Sequence, residues 1–313
     1  MRNKSLAFIA GAFLTFSFVP KALSTPVTLL ELDWASQRVL THALSQVMQD
    51  NGVETEIRKS SAAPQWMFLS TGKADVQVEV WEGSMGPKFS EMRERGLVLE
   101  GVTHNAKTRE DWWYPSYVEE LCPGLPDWKA LQKCPGVFSG GDSVGHYYSG
   151  PWEKPDRARI RALDLEFDVT MLKSGGEINE RIHKYIADKK PLMIFNWSPN
   201  WVEAVYDGSF VEFPEYTEEC ETRPSWGYNK KFTWDCGNPA GGWLKSAIST
   251  DLESKSSCAY SIMKNFKLTN ADIALAASLL DVEKLPIEKA AQTWLEKKQD
   301  LIDQTLSASS CNV

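Results

Sequence analysis

After residue 24 the chain alternates between short apolar segments of β type and segments with helical spacing, and this alternation is the strongest constraint on its fold. The first helical segment carries one buried stripe at three- and four-residue spacing and ends at Gly52. The stripe consists of Val39, Leu40, Ala43, Leu44, Val47 and Met48. The predicted strands are 27–32, 53–57, 74–80 and 97–102, with a second helix over 85–95. Strands that alternate with helices predict an α/β fold with a parallel sheet.

The second half of the chain is less regular. Residues 110–155 are rich in Gly, Pro and aromatic residues, and 220–242 is rich in Gly, Pro and Trp. The later predicted elements are a helix over 177–188, a buried strand over 191–196, a helix over 271–280 capped by Thr269, and a helix that starts at Pro286. A length of 313 residues suits about two domains.

Residues 1–24 have the pattern of a secretory signal peptide. Arg2 and Lys4 form a positive start, an uncharged, mostly apolar stretch runs over 6–19, and cleavage is predicted after Ser24. The stretch is too short to cross about 30 Å of hydrocarbon, which argues against a membrane anchor. Cleavage would remove three basic residues and no acid, so the net charge would change from −8 to −11. That charge argues against nucleic acid as a partner, because binding it requires a basic face.

Six cysteines remain after the predicted cleavage. They are Cys122, Cys134, Cys220, Cys236, Cys258 and Cys311. An even number of cysteines in an exported chain is typical of disulfides. Short separations favour the first two consecutive pairs, and the last pair is what remains. The alternatives are a zinc site, for which the CxxC pairs are absent, and a catalytic cysteine, for which no histidine lies near in the sequence.

Thirteen tryptophans, as many as phenylalanines, is an unusual number. Trp34, Trp81 and Trp197 each stand at the end of a predicted strand. Because ligands of open α/β sheets bind beyond the carboxyl ends of the strands, we expect these three rings to converge. Several aromatic faces around a small space recognise quaternary ammonium groups, each face contributing about 0.5–2 kcal/mol. The alternative is that these rings only pack the core.

Three segments carry a resemblance to a known family. They are 75–82 (DVQVEVWE), 112–118 (WWYPSYV) and 195–201 (FNWSPNW). Together they resemble the substrate-binding proteins of ABC importers for glycine betaine, choline and related quaternary amines. The cysteine-rich stretch 220–242, with CGNPA at 236–240, is more similar to the branch that binds trimethylamine N-oxide (TMAO).

The resemblance implies an α/β periplasmic-binding-protein fold of type II, in which two lobes joined by a hinge close on a central ligand cleft. The expected boundaries are 25–115 with 208–313 for lobe 1, 116–207 for lobe 2, hinge crossings at 114–117 and 206–208, and a disulfide-pinned insertion of lobe 1 at about 220–242.

The resemblance also implies an aromatic cage around the ligand. The expected ligand contacts are Trp34, Trp81 and Trp197 at cage positions, one or more of Trp112, Trp113 and Tyr117 in the remaining wall, and Glu82 and Trp152 nearby. Ser36 stands where the choline branch has an Asp, which favours a ligand whose polar end is an acceptor. Such an end needs N–H or O–H donors, which the turn 139–143 or the element 150–152 could supply.

Acidic residues flank the predicted insertion. They are Glu215, Glu218, Glu219, Glu221 and Asp235. Hard oxygen ligands in an exported chain make a structural Ca²⁺ ion a candidate here, and the similarity to the TMAO branch supports it. The alternative is a plain acidic loop. No other cofactor is expected.

The sequence therefore predicts a monomeric periplasmic protein that performs no chemistry and delivers a small methylated amine to the membrane permease of an ABC importer. TMAO is the first expected ligand, glycine betaine the second and dimethylsulfoniopropionate the third. The rival is an exported carbohydrate-active enzyme with Trp platforms for sugar, which would need two carboxylates about 5–9.5 Å apart. A signalling receptor on the same fold is a second rival.

Overall fold

A computed structural model describes residues 25–141, 143–152 and 155–311. The predicted signal peptide, 1–24, lies outside the described residues. Among the described residues, no helix is both long enough and apolar enough to cross a membrane.

Strands and helices alternate in the first part of the described chain, and helices end it. The strands are β1 (Val27–Glu31), β2 (Thr55–Lys59), β3 (Val76–Trp81), β4 (Leu99–Pro115), β5 (Pro123–Pro126), β6 (Gly145–Ser149), β7 (Phe167–Met171), β8 (Ile194–Ser198), β9 (Gly208–Phe210) and β10 (Gly242–Ile248). The helices are α1 (Ala35–Asp50), α2 (Gln65–Ser70), α3 (Glu82–Glu94), α4 (Asp156–Ala162), α5 (Gly175–Ala187), α6 (Val202–Val205), α7 (Glu218–Thr222), α8 (Leu252–Lys255), α9 (Ser257–Asn265), α10 (Asn270–Asp281), α11 (Ile287–Lys297) and α12 (Gln299–Ser307).

The strands form a mixed sheet in the order β2-β1-β3-β10-β4-β8-β6-β7, with β9 also beside β4. The pairs of β1 with β2 and β3 are parallel, as predicted. The pairs of β6 with β7 and β8, in a part of the chain where β6 and β7 were not predicted, are parallel as well. β10 is antiparallel to both β3 and β4, and β8 and β9 are antiparallel to β4. The prediction of a parallel sheet is therefore wrong at its centre, because β10 returns from the second half of the chain and inserts between β3 and β4.

The long strand β4 joins the two halves of the sheet. Its first part pairs with β10 as far as Thr108, and its second part pairs with β8 from Arg109 onward. β3 and β4 are both antiparallel to β10, so β3 runs in the same direction as β4, and β1 is parallel to β3. β8 is antiparallel to β4, and β6 is parallel to β8, so both run in the opposite direction. The carboxyl ends of the two sets of strands therefore face each other at the middle of β4.

The helical predictions are confirmed where the apolar period is strong. The stripe of α1 is buried as predicted, and α1 packs against α10 and α11. Thr269 caps α10 through a capping box with Asp272, and Pro286 precedes α11. The Trp294 ring of α11 is fully buried and donates its indole N–H to the Asp272 carbonyl oxygen at 2.9 Å. These helices cover one face of the β1–β3 half.

A buried ionic network ties the cysteine-rich stretch to the rest of the second half. The Arg159 guanidinium of α4 forms an ion pair with Asp111 at 2.8 Å and donates to the Cys236 carbonyl oxygen at 2.8 Å. It also donates to the Asn238 side chain at 3.1 Å and stacks over the Phe213 ring at 4.7 Å. The stretch 220–242 thus contacts α4, which lies in the part of the chain expected to form lobe 2.

The expected lobe boundaries stay predictions. The change of partner along β4 falls at Thr108 and Arg109, a few residues before the expected crossing at 114–117. The second expected crossing, 206–208, leads directly into β9, which pairs with the end of β4.

All three predicted disulfides are confirmed. The structure pairs Cys122 with Cys134, Cys220 with Cys236, and Cys258 with Cys311. The third bond ties α9 to the end of α12, across a separation of 53 residues.

Thiol titration of the denatured, unreduced protein tests this pairing in solution. We expect almost no free thiol, because all six cysteines are bonded among the described residues. Reduction before denaturation is the control, and it should release six thiols. Six thiols without reduction would contradict both the disulfides and the expected export to an oxidising compartment.

Candidate ligand-binding site

Two pairs of strand ends bring four tryptophans together. The parallel strands β1 and β3 lead to Trp34, at the N-cap of α1, and to Trp81, the last residue of β3. The parallel strands β6 and β8 lead to Trp152, shortly after β6, and to Trp197 within β8. Because the two pairs point toward each other along β4, all four rings line one cavity, as expected for Trp34, Trp81 and Trp197 from the sequence.

The cavity has a volume of about 250 Å³. Its lining residues are Trp34, Trp81, Ser84, Met85, Glu110, Trp152, Phe195 and Trp197. Because this figure includes solvent at the cavity mouth, the enclosed space is smaller still and suits a molecule of few heavy atoms. Five of its eight lining side chains are aromatic, so rings form most of the lining.

Trp152 forms the centre of the aromatic arrangement. Its ring stands nearly perpendicular to Trp34, at 6.3 Å and 83°, and to Trp197, at 5.5 Å and 77°. Phe195 stacks on Trp197 at 5.8 Å and 29°. Rings at right angles enclose a volume on several sides, so a bound cation could meet more than one aromatic face at once.

A buried carboxylate, Glu79, orients two of the cage rings. Its Oε2 accepts the indole N–H of Trp34 at 2.5 Å and that of Trp81 at 3.1 Å. The same oxygen accepts the Ser36 hydroxyl at 3.1 Å. Ser36 was among the positions expected from the sequence, whereas Glu79 was not, although Glu79 lies two residues before Trp81 and therefore on the same face of β3.

The electrostatics of Glu79 are set by burial. Desolvation raises the pKa of Glu79 to about 7, against the lowering effect of the hydrogen bonds from Trp34, Ser36 and Trp81. Among the described residues, Glu79 forms no ion pair and its Oε1 has no hydrogen-bond partner. The group therefore titrates near neutral pH behind the aromatic wall.

Glu110 and the start of α3 form the polar side of the cavity. Glu110 lies opposite Trp197 in the register of β4 with β8, just past the point where β4 changes partner. Its Oε2 accepts the backbone N–H of Ser84 at 3.0 Å. Ser84 stands in the first turn of α3, where the helix dipole favours negative charge. The lining therefore offers a ligand oxygen the Ser84 hydroxyl, and also the indole N–H of Trp152, which has no hydrogen-bond partner among the described residues.

The C-terminal helices contact the second half of the chain through Asp281. Asp281 at the end of α10 accepts the side-chain N–H of Asn179 at 2.5 Å and the indole N–H of Trp201 at 3.2 Å. Burial raises the pKa of Asp281 to about 6. These bonds join a C-terminal helix to α5 and to the segment after β8.

The aromatic cluster at the end of β4 does not line the cavity, contrary to the expectation that it completes the cage wall. Trp112 is fully buried, stacks on Tyr147 at 3.9 Å and donates to Asp156 at 2.9 Å. The ring of Trp113 packs against Gly208, and the Tyr117 hydroxyl donates to the Lys190 carbonyl oxygen at 2.7 Å. Alternate residues of a strand face opposite ways, and β4 is long enough to carry these rings away from the ligand side. Trp152 and Phe195 supply the wall instead.

Glu82 and the predicted donor turn also lie apart from the lining. The Glu82 carboxylate accepts the backbone N–H of Trp243 at 2.8 Å, so it ties α3 to β10. The described part of the turn 139–143 is absent from the cavity lining, whereas Trp152, from the second predicted donor element, is present.

The calcium expectation stays a prediction. Among the described residues, no group of three or more His, Cys, Asp or Glu side chains could hold a metal ion. Asp235 is buried and accepts the Asn229 backbone N–H, so its carboxylate serves the loop.

Comparisons with known proteins agree with this architecture. Residues 25–297 match the family described as the substrate-binding domain of the ABC-type glycine betaine transport system. The chain is 31% identical over 282 residues to the trimethylamine N-oxide-binding protein of Pelagibacter ubique (strain HTCC1062), covering 86% of this chain and 87% of that protein.

Solved structures share the fold at low sequence identity. An ABC-transporter choline-binding protein in complex with choline superposes with a TM-score of 0.70 at 15% identity, over 92% of this chain and 93% of that one. A lactococcal protein in its closed, glycine betaine-bound conformation superposes with a TM-score of 0.64 at 18% identity, over 90% and 99%. The fold is that of the two-lobed periplasmic binding proteins. The chain belongs to the family of substrate-binding domains of ABC-type glycine betaine transport systems.

Proposed function

We propose that this protein binds a small methylated amine in the cavity between its two halves and delivers it to the membrane permease of an ABC importer. The observation that carries the proposal is the convergence of four indole rings on one cavity of about 250 Å³. A trimethylammonium group is apolar in shape and positive in charge, and ring faces satisfy both properties. We propose TMAO as the first ligand and glycine betaine as the second, with dimethylsulfoniopropionate third.

The small polar part of the lining favours TMAO over glycine betaine. Glycine betaine would bring a two-oxygen carboxylate into this space, whereas the N-oxide is one acceptor oxygen that the Ser84 hydroxyl can satisfy. The similarity to a protein named as TMAO-binding supports the same order.

The same features support a transport role without chemistry. The rival carbohydrate-active enzyme would need two carboxyl groups that act as an acid and base pair, and among the described lining residues Glu110 is the one that carries a carboxyl group. We propose that the mature protein is a periplasmic monomer, exported by cleavage after Ser24, and that the closed form docks on the permease.

Calorimetric titration of the mature protein with TMAO, glycine betaine, choline and carnitine tests the proposal. We expect TMAO to bind most tightly, glycine betaine less tightly, and every ligand to be recovered unchanged. Heat from none of the four would contradict the proposed ligand class, and turnover of a bound sugar would favour the enzyme.

A further inference from the structure

We propose, resting on the proposed function, that Glu79 is the positioning residue of the cage and also the fixed counter-charge of its ligand, so that binding of a methylated cation is coupled to ionisation of this carboxylate. Glu79 does not line the cavity. It acts through the two rings that it holds, and its charge reaches the ligand through them.

The geometry supports the positioning role. One oxygen, Oε2, accepts the indole N–H groups of Trp34 and Trp81, which come from different strand ends of the β1–β3 half. A ring held at its N–H edge by a carboxylate cannot turn about its axis without breaking a charge-assisted bond. The Ser36 hydroxyl adds a third donor to the same oxygen. The faces that both rings offer to the cavity are therefore set by Glu79.

The surroundings support the counter-charge role. Within the described chain, no cation pairs with Glu79, and its Oε1 is buried without a partner. The nearest strand neighbours offer none: Lys245, opposite Val80, pairs with Glu100, and the His104 ring bonds to the Val78 carbonyl oxygen. Burial lowers the pKa of His104 to about 4, so that ring is neutral at neutral pH.

Acidic groups lie on the elements next to Glu79. Asp33 lies in the turn between β1 and α1, and Glu82 begins α3. Burial raises the pKa of Asp33, and the Arg38 guanidinium that acts on it forms an ion pair with Glu31 at 3.1 Å. A cation in the cage would therefore supply the compensation that Glu79 lacks among the described residues.

The sign of the coupling follows from linkage. Without ligand, the pKa of Glu79 is about 7, so the group is largely protonated in mildly acidic solution. A cation stabilises the ionised form and lowers that pKa in the complex, so binding releases a proton below about pH 7. Affinity should then rise with pH up to about pH 7, by at most about tenfold per pH unit, and be level above it.

Calorimetry with tetramethylammonium tests the proposal, because this probe carries the methylated cation and has no titratable group. In the mature wild-type protein we expect the dissociation constant to fall at least about fivefold between about pH 5.5 and about pH 8. The heat should depend on the ionisation enthalpy of the buffer at the acid end, which reports the released proton.

Three variants separate the roles. Glu79→Gln keeps an acceptor for the indole N–H groups but has no charge, so it should bind at least about tenfold more weakly at about pH 8 and show no pH dependence. Ser36→Ala removes one hydrogen bond to the carboxylate and should move the pH dependence to higher pH. Asp33→Asn is the matched control, because Asp33 is also a partly buried acid near the cage. This variant should keep the pH dependence of the wild-type protein.

A wild-type affinity that does not change with pH, or a pH dependence that persists in Glu79→Gln, would overturn the coupling. Loss of the pH dependence in Asp33→Asn alone would assign it to Asp33 and also overturn the proposal. These outcomes differ from failure of the proposed function, in which the wild-type protein would bind neither tetramethylammonium nor TMAO at any pH. If Glu79→Gln does not fold, the wild-type and Ser36→Ala profiles decide.

Discussion

Arg159→Ala is expected to lower the free energy of unfolding by about 3–5 kcal/mol, because it leaves the Asp111 carboxylate buried without its ion-pair partner. The pair lies at 2.8 Å, with both side chains almost fully buried. The substitution also removes the donors to Cys236 and Asn238 and the stacking on Phe213. Urea unfolding of the mature protein, followed by tryptophan fluorescence, measures the change.

The control for this prediction is an arginine in a surface ion pair. Arg95 contacts Glu91 at 2.9 Å and is 60% exposed, so Arg95→Ala should cost less than about 1 kcal/mol. A similar small cost for Arg159→Ala would mean that solvent or another group compensates Asp111. The stretch 220–242 would then be held by its disulfide and loop contacts more than by this ionic network.

Trp81→Ala is expected to weaken binding of the methylated amine by more than about 1 kcal/mol, which corresponds to at least about fivefold in the dissociation constant. The change removes a ring face from the cavity and one of the two indole donors to Glu79. Calorimetric titration with TMAO at neutral pH measures the effect, and the thermal unfolding temperature reports whether the variant is folded.

Trp226→Ala is the matched control, since Trp226 is 51% exposed and lies in the cysteine-rich stretch outside the cavity lining. It should leave the affinity for TMAO unchanged. If folded Trp81→Ala protein bound TMAO as tightly as the wild type, Trp81 would have no role in the site, and the ring contacts would have to come from Trp34, Trp152 and Trp197.

Local patterns were sufficient for the elements whose period is strong. The stripe of α1, the cap at Thr269 and the strand β3 were predicted from neighbours three, four or two residues away, and each of these elements is present in the structure, although all six residues of β3 are buried. The disulfides Cys122–Cys134 and Cys220–Cys236 were also predicted from a local property, the short separation of their cysteines, because closing a short loop costs little conformational entropy.

The polar groups of the site could not be assigned from local pattern. Glu79 has the alternation of an ordinary strand residue, and its importance depends on Trp34, 45 residues away. Glu110 lies in a stretch without a clear period, and only the pairing of β4 with β8 puts it opposite Trp197. The rings of Trp112 and Trp113 look equally suited to a cage in the sequence, yet both are fully buried elsewhere.

The sequence by itself determined the strongly periodic α/β elements, the two short cysteine pairs and the three strand-end tryptophans, because hydrophobic period, short chain separation and strand termination are local properties. The tertiary structure decided how those ends meet. The 17-residue strand β4 carries one set of strands along its first part and an opposed set along its second part, so that both sets of carboxyl ends point at one cavity. Long-range pairing of this kind depends on contacts between distant segments, and it is also what places the Glu79 carboxylate behind the cage and the Glu110 carboxylate within it.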